Sequence, residues 1–247
     1  MRIAEIPAEI SLQRTYYTRT AEQYDAWHVH EADEHSTACK IVSALLPLLG
    51  ARTVLDVGSG TGRAASILSE LNPELWVCAV DPVQALIEKA RQKLQGKVIV
   101  SDGGRLPFRD SAYDVTIATG ILHHVRNPDA IIREMIRVSR LAVFISDGNV
   151  FGTGSKITRL VKGALYDLGL WRAVKFIQTL GKGYSVLDGD GIAYSYSVFF
   201  SYHLLAQHAA MTFNIPLDTN VHGRLRASRL FSAQHHLICA IKDGGIK

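Results

Sequence analysis

Cysteine is scarce in this chain. Cys39, Cys78 and Cys239 lie far apart, with no paired spacing of the kind that thiolate metal sites use. No metal is therefore expected. Cys78 and Cys239 sit inside apolar runs and read as small buried hydrophobes in a reducing compartment. Long hydrophobic runs are also missing: none approaches the roughly 20 residues that cross a bilayer, so no stable membrane insertion is expected. The first residues, MRIAEIPAEI, carry two acids and no long apolar core. That is not a signal peptide, and the expectation is a cytoplasmic protein. Charge of one sign is not concentrated either. Lys and Arg number 27 against 23 Asp and Glu, for a net +4, and no basic stripe marks a nucleic-acid partner. The pI of about 9.0 still permits an anionic small molecule. No internal repeat and no low-complexity segment interrupts the chain.

What is present is enough apolar residue, 47% of 247, to bury one core. From residue 53 to 147 short β-branched runs alternate with helical ones. Strands are expected at 53–57, 76–81, 97–101, 113–118 and 141–146, with helices at 63–71, 83–94 and 129–138. The strands are near-continuous apolar runs, as parallel strands covered on both faces require. Strand and helix in alternation predict a doubly wound α/β sheet. Two helices are expected before it, at 12–27 and 34–49. After it come an amphipathic helix over 158–180, a glycine-rich loop over 181–191, a helix over 201–211 and a last core strand over 235–241.

The chemistry-bearing residues fall at strand ends. The first strand runs into Asp56-Val57-Gly58-Ser59-Gly60-Thr61-Gly62, and a helix follows. Glycine lets the backbone curl there and lets a ligand approach closely. The spacing is G-x-G-x-G, not the G-x-G-x-x-G that sets a helix start against a pyrophosphate. An aspartate beside the loop would oppose a pyrophosphate but suits a cationic ammonium group. The second strand ends in Asp81-Pro82, about 20 residues on, where an acid can accept from both ribose hydroxyls. The same pair reads as a helix cap followed by a first-turn proline, and both roles can hold together. The third strand ends in Asp102-Gly103, where a carboxylate can accept from an adenine amino group. The same pair is also a common turn dipeptide.

The stretches VLDVGSGTGR, AVDP, SDGGRLPFRDSAYDV and GILHHV, in this order, resemble the class I S-adenosylmethionine-dependent methyltransferases. The nearest subgroup includes the ubiquinone and menaquinone C-methyltransferases and many small-molecule methyltransferases. The resemblance covers roughly residues 54–146. It implies a seven-stranded, mostly parallel Rossmann-like sheet with a helical cap, and S-adenosyl-L-methionine as cofactor. It places Asp56, Gly58 and Gly60 around the methionine part, Asp81 with Pro82 at the ribose, and Asp102 with Gly103 at the adenine. Thr119 or Gly120 would meet the methionine end. Tyr17 and Tyr24, seven apart and so on one helical face, match the tyrosine-bearing helix that often covers the cofactor in this family. Core packing of the rings is the other reading.

Methyl transfer from a sulfonium needs positioning and water exclusion more than a fixed catalytic motif. His123 and His124 follow the fourth strand, where an acceptor would enter, and either imidazole can serve as a base at neutral pH or as a structural residue. The N-P-P-Y-type tetrapeptide of base and amide N-methylation is absent, because Thr119-Gly120-Ile121-Leu122 stands there. The later segment is dense in aromatics with polar tips, Tyr184, Tyr194, Tyr196, Phe199, Phe200, Tyr202 and His203. It suits a hydrophobic or aromatic acceptor and equally an ordinary packed cap. Arg159, Lys162, Arg172 and Lys175 suit an anionic substrate, a membrane surface or a solvated helix face. The chain thus divides into N-terminal helices over the cofactor (1–50), a cofactor-binding core (51–147), a cap (148–201) and the C-terminal part of the core (202–247). The expected function is methyl transfer to oxygen, carbon or nitrogen of a small molecule. An RNA methyltransferase, a non-catalytic cofactor-binding module and a nicotinamide dehydrogenase are the alternatives.

Overall fold

The computed structural model describes residues 7–30, 33–94, 96–217 and 233–245. The reading of residues 1–6 as part of a leaderless N-terminus lies outside them, as does the 218–232 part of the C-terminal region.

Five parallel strands carry the α/β half: β1 (Thr53–Val57), β2 (Trp76–Asp81), β3 (Lys97–Val100), β4 (Tyr113–Thr119) and β5 (Ser139–Gly148). Helices α4 (Arg63–Leu71), α5 (Gln84–Lys93) and α6 (Pro128–Val138) connect them. Two antiparallel strands, β9 (His235–Ile241) and β8 (Met211–Pro216), complete a seven-stranded sheet in the order β3-β2-β1-β4-β5-β9-β8. The strand order reverses between β1 and β4, and the crevice of such a sheet opens at that switch point, beyond the strands' carboxyl ends.

Period-2 alternation sends neighbouring residues of one strand to opposite layers. Leu55 and Val57 join Val80, Ala118, Ile145 and the α6 residues Ile132 and Met135 on one face. Val54 joins Val77, Ile117, Phe144 and Leu68 on the other. That second face is closed by α3 (Glu34–Leu45) through Ala38, Cys39 and Val42.

The structure departs from the expected elements in four places. The helix expected at 12–27 is broken into α1 (Ala8–Thr20) and α2 (Tyr24–His28). The Thr18 and Thr20 hydroxyls donate back to the carbonyls of Arg14 and Tyr16, a pattern that bends helices. The helix expected at 158–180 is two, α7 (Lys156–Asp167) and α8 (Trp171–Gln178). Gly169, at φ 71°, ends α7 in a left-handed turn, with the Leu170 N–H donating to the Leu165 carbonyl. The expected loop at 181–191 is a hairpin, β6 (Tyr184–Leu187) against β7 (Gly191–Tyr194), closed by Asp188, Gly189 and Asp190. A short turn containing Asp-Gly is a hairpin signal. The helix expected at 201–211 shrinks to α9 (Tyr202–Ala206), and Met211 already begins β8.

Candidate active site at the sheet switch point

A cavity of about 370 Å³ opens beyond the ends of β1, β2 and β4. Gly58, Asp81, Pro82, Asp102, Gly103, Gly120 and Ile121 form its floor, and Gln13, Arg14 and Tyr17 of α1 form its roof. The glycines are required there. Gly58 has φ 72°, and a Cβ would lie 2.7 Å from the Ile121 side chain; Gly60 has φ 55°, and a Cβ would lie 2.8 Å from the Tyr24 hydroxyl.

Asp56 is fully buried behind the loop and is not on the cavity wall. Its Oδ2 accepts the Ala65 N–H at 3.1 Å, while its Oδ1 has no hydrogen-bond partner among the described residues. Burial pushes its carboxyl up to about 7. Asp81 is on the wall. One oxygen accepts from the Gly60 N–H at 3.0 Å and the other from the Val83 N–H at 2.8 Å. It therefore ties the glycine loop to the start of α5, and burial pushes it up to about 6 against these two donors. Each oxygen keeps a lone pair for a ligand hydroxyl. Asp102 is half exposed. Its Oδ1 accepts the Gly104 N–H at 2.8 Å, and its Oδ2 pairs with Arg14 at 2.7 Å. Thr119 is buried at the end of β4, and Gly120 is the neighbour on the wall.

Tyr17 and Tyr24 meet edge to face, with ring centroids 5.6 Å apart, although they lie on different helices. Both line the cavity.

His123 and His124 occupy a short 3-10 turn after β4, at Leu122–His124. His123 Nδ1 donates to the buried Asp147 Oδ1 at 2.8 Å. Burial alone would lower its pKa, but Asp147 and then Asp190 outweigh it and raise it to about 10. His124 Nδ1 faces the Ile192 carbonyl at 2.5 Å. The Gln13 amide nitrogen lies 3.3 Å from the same Nδ1, and the other ring nitrogen is Nε2. That Nε2 lies 3.2 Å from the Tyr17 hydroxyl and 3.3 Å from Asp190 Oδ1. Of the two, His124 is the ring on the cavity wall.

Asp190, Asp147, Gln13 and Arg14 were not expected at the site. Asp190, in the hairpin turn, lies 3.7 Å from His123 Nε2, 3.3 Å from the Tyr17 hydroxyl and 4.0 Å from His28 Nδ1. Burial would raise its carboxyl, but the hydrogen bonds and charge of His123 and His124 hold it far below the usual range. The sequence signal for Asp190 was the Asp-Gly-Asp turn; nothing local in the sequence joins that turn to His124. Gln13 Oε1 accepts the Ile192 N–H, which fixes α1 to the same hairpin. Of the aromatic residues expected to meet an acceptor, Tyr194 is on the wall, whereas Tyr196 is buried and bonds Ser201.

A family described as "Methyltransferase domain" matches residues 55–142. The malonyl-[acyl-carrier protein] O-methyltransferase of Marinomonas sp. is 29% identical over 145 residues, 57% of this chain and 50% of that protein. The demethylmenaquinone methyltransferase of Thermotoga maritima is 30% identical over 125 residues, 49% of this chain and 54% of that one. The chain thus spans about half the length of these curated relatives. The crystal structure of Burkholderia thailandensis 1,6-didemethyltoxoflavin-N1-methyltransferase, with bound 1,6-didemethyltoxoflavin and S-adenosylhomocysteine, superposes with a TM-score of 0.60 at 16% identity, over 98% of this chain and 93% of that one. At that identity the likeness is one of fold.

Proposed function

We propose that this chain, which carries a methyltransferase domain on the class I Rossmann-like fold, is an S-adenosylmethionine-dependent enzyme that methylates a small, largely apolar acceptor. The observation that carries the reading is the switch-point cavity, floored by glycines that leave no room for a Cβ and by the buried Asp81. The lining fits a cationic nucleoside, since Asp81 and Asp102 are acids on the wall. Asp81 with Pro82 would hold the ribose, Asp102 and Gly103 the adenine end, and Gly58 and Gly120 the methionine end, with Gly60, Asp56 and Thr119 shaping the loop and strand end behind them. When bound, the cofactor supplies an electrophilic methyl group on sulfur.

The protein's part is to orient the acceptor in line and keep water out. Ile10, Ile121, Val125, Ile192 and Tyr194 add an apolar stretch of wall beside the Glu9–Arg126 pair and Asn127, which suits an acyl or ring acceptor bearing one ionisable hydroxyl. Of the two candidate bases, His123 is held protonated between two carboxylates, so His124, the ring on the cavity wall, is the one left to take the acceptor's proton. Residues 148–201 act as the cap, since their β7 contributes Ile192 and Tyr194.

Calorimetric titration with S-adenosylhomocysteine and with NADH tests the cofactor assignment. Binding of the first and not the second is expected, and tight NADH binding without S-adenosylmethionine binding would overturn it. Single-turnover transfer of a labelled methyl group to a panel of acyl and phenolic acceptors then separates an enzyme from a binding module.

A further inference from the structure

The helices α7 and α8 are turned inside out relative to the usual surface helix. The first docks on the molecule through its buried Gly163 and through Lys162, whose ammonium donates to the Val150 carbonyl at 2.8 Å and the Thr153 hydroxyl at 2.6 Å. The second docks through the buried Trp171, against Phe151 with ring centroids 5.4 Å apart. Their apolar stripes consequently face outward. Ile157, Leu160, Val161, Ala164 and Leu168 repeat at i, i+3, i+4, i+7 and i+11 on α7 and just beyond it. Ala173, Phe176, Ile177 and Leu180 repeat at i, i+3, i+4 and i+7 on and after α8. All are exposed, Leu160 at 66%, Ile177 at 73% and Leu180 at 90%. Both helices anchor on Phe151, α7 through Tyr166 with ring centroids 5.1 Å apart and α8 through Trp171 at 5.4 Å, which brings the two stripes to one region of the surface. Val186 and Leu187 of the following hairpin are exposed as well. A patch of this kind marks an interaction surface.

The charge around the patch selects its occupant. Besides the docked Lys162, residues 154–188 contain Lys156, Arg159, Arg172, Lys175 and Lys182 against the acids Asp167 and Asp188. Lys156, Arg172 and Lys182 are exposed. A second copy of the chain would set these cations against themselves, with little acid to meet them. A bilayer surface bearing anionic headgroups offers both an apolar layer and the opposite charge. We propose that the outward apolar stripes of α7 and α8, ringed by cations, dock the protein peripherally on an anionic membrane surface. This goes beyond methyl transfer and stands independently of it. No helix among the described residues is long and apolar enough to cross a membrane.

Flotation of the full chain with vesicles tests the proposal, using equimolar phosphatidylglycerol and phosphatidylcholine against phosphatidylcholine alone. The chain is expected to float with the anionic vesicles, about tenfold less with the neutral ones, and less as salt rises. Leu160→Ser/Phe176→Ser/Leu180→Ser and Lys156→Glu/Arg172→Glu/Lys182→Glu should each lower binding about tenfold. Their thermal midpoints should stay unchanged, because the altered side chains are exposed. No flotation with anionic vesicles, or equal flotation of the serine variant, would sink the idea. Light scattering in the absence of lipid tests the competing occupant. A monomer is expected, and a dimer that the serine variant splits would assign the patch to a second copy instead.

Discussion

At the scale of the residue, His123 is held by more than a local turn. Asp147 from β5 meets its Nδ1, and Asp190 from the hairpin faces its Nε2. His124, Tyr17, His28 and His35 complete the charged and titratable surroundings of the two acids. The folded-state value of His123, about 10, lies above the ordinary 6.5. The folded protein therefore keeps a proton that the unfolded chain releases between those values. The resulting stability is full below pH 6.5 and is lost as pH rises through about 10. Urea unfolding of the wild type should show lower stability at about pH 10 than at about pH 7. His123→Asn should be less stable at neutral pH and flatter across that range; an equally steep loss in the variant would refute the pairing. The histidine pair was legible in the sequence because it follows a strand end. Its partners were not, since they sit 24 and 67 residues away and only the fold brings them near.

At the scale of the element, α1 and the β6–β7 hairpin hold each other over the cavity. Gln13 accepts from Ile192, Tyr17 donates to the hairpin's Asp190, and Arg14 pairs with Asp102 on the floor. Asp190→Asn removes the charge that His123, His124 and Tyr17 share. Loss of hydrogen bonds to a charged, partly buried group costs on the order of 1–3 kcal/mol. The expected result is a lower denaturation midpoint and a raised KM for the acceptor. A variant unchanged in both would show that the hairpin is held by its backbone alone. The expected single helices at 12–27 and 158–180 were broken for local reasons, threonine back-bonding and a left-handed glycine. The hairpin had a readable turn, but the glycines around it (Gly181, Gly183, Gly189, Gly191) masked two strands of four residues. The seventh strand, β8, is an edge strand whose alternation in MTFNIP is too short to read alone.

At the scale of the molecule, the sheet is a platform buried on both faces, and its centre tolerates little. Phe144 in β5 is fully buried between the layers. Phe144→Ala should cost about 3–5 kcal/mol through lost burial and a cavity, read as a fall in the urea midpoint. A loss under about 1 kcal/mol would contradict the packing. Such a platform also presents its strand ends as a rigid rim, which is why Asp81 and Asp102 arrive on one wall from two strands.

The sequence by itself determined the strand–helix alternation, the bounds of β1, β2, α4 and β9, and the glycine turn with an acid at each of three strand ends. Those are local properties: periodicity, turn chemistry and propensity act within a few residues. Only the tertiary structure decided that Asp56 lies behind the loop while Asp81 and Asp102 face the cavity, and that Arg14 meets Asp102. It also decided that His123 and His124 divide into a clamped cation and a wall-lining ring. It alone turned the apolar stripes of α7 and α8 outward, because periodicity defines a stripe while packing against Phe151 and Val150 defines which way it points.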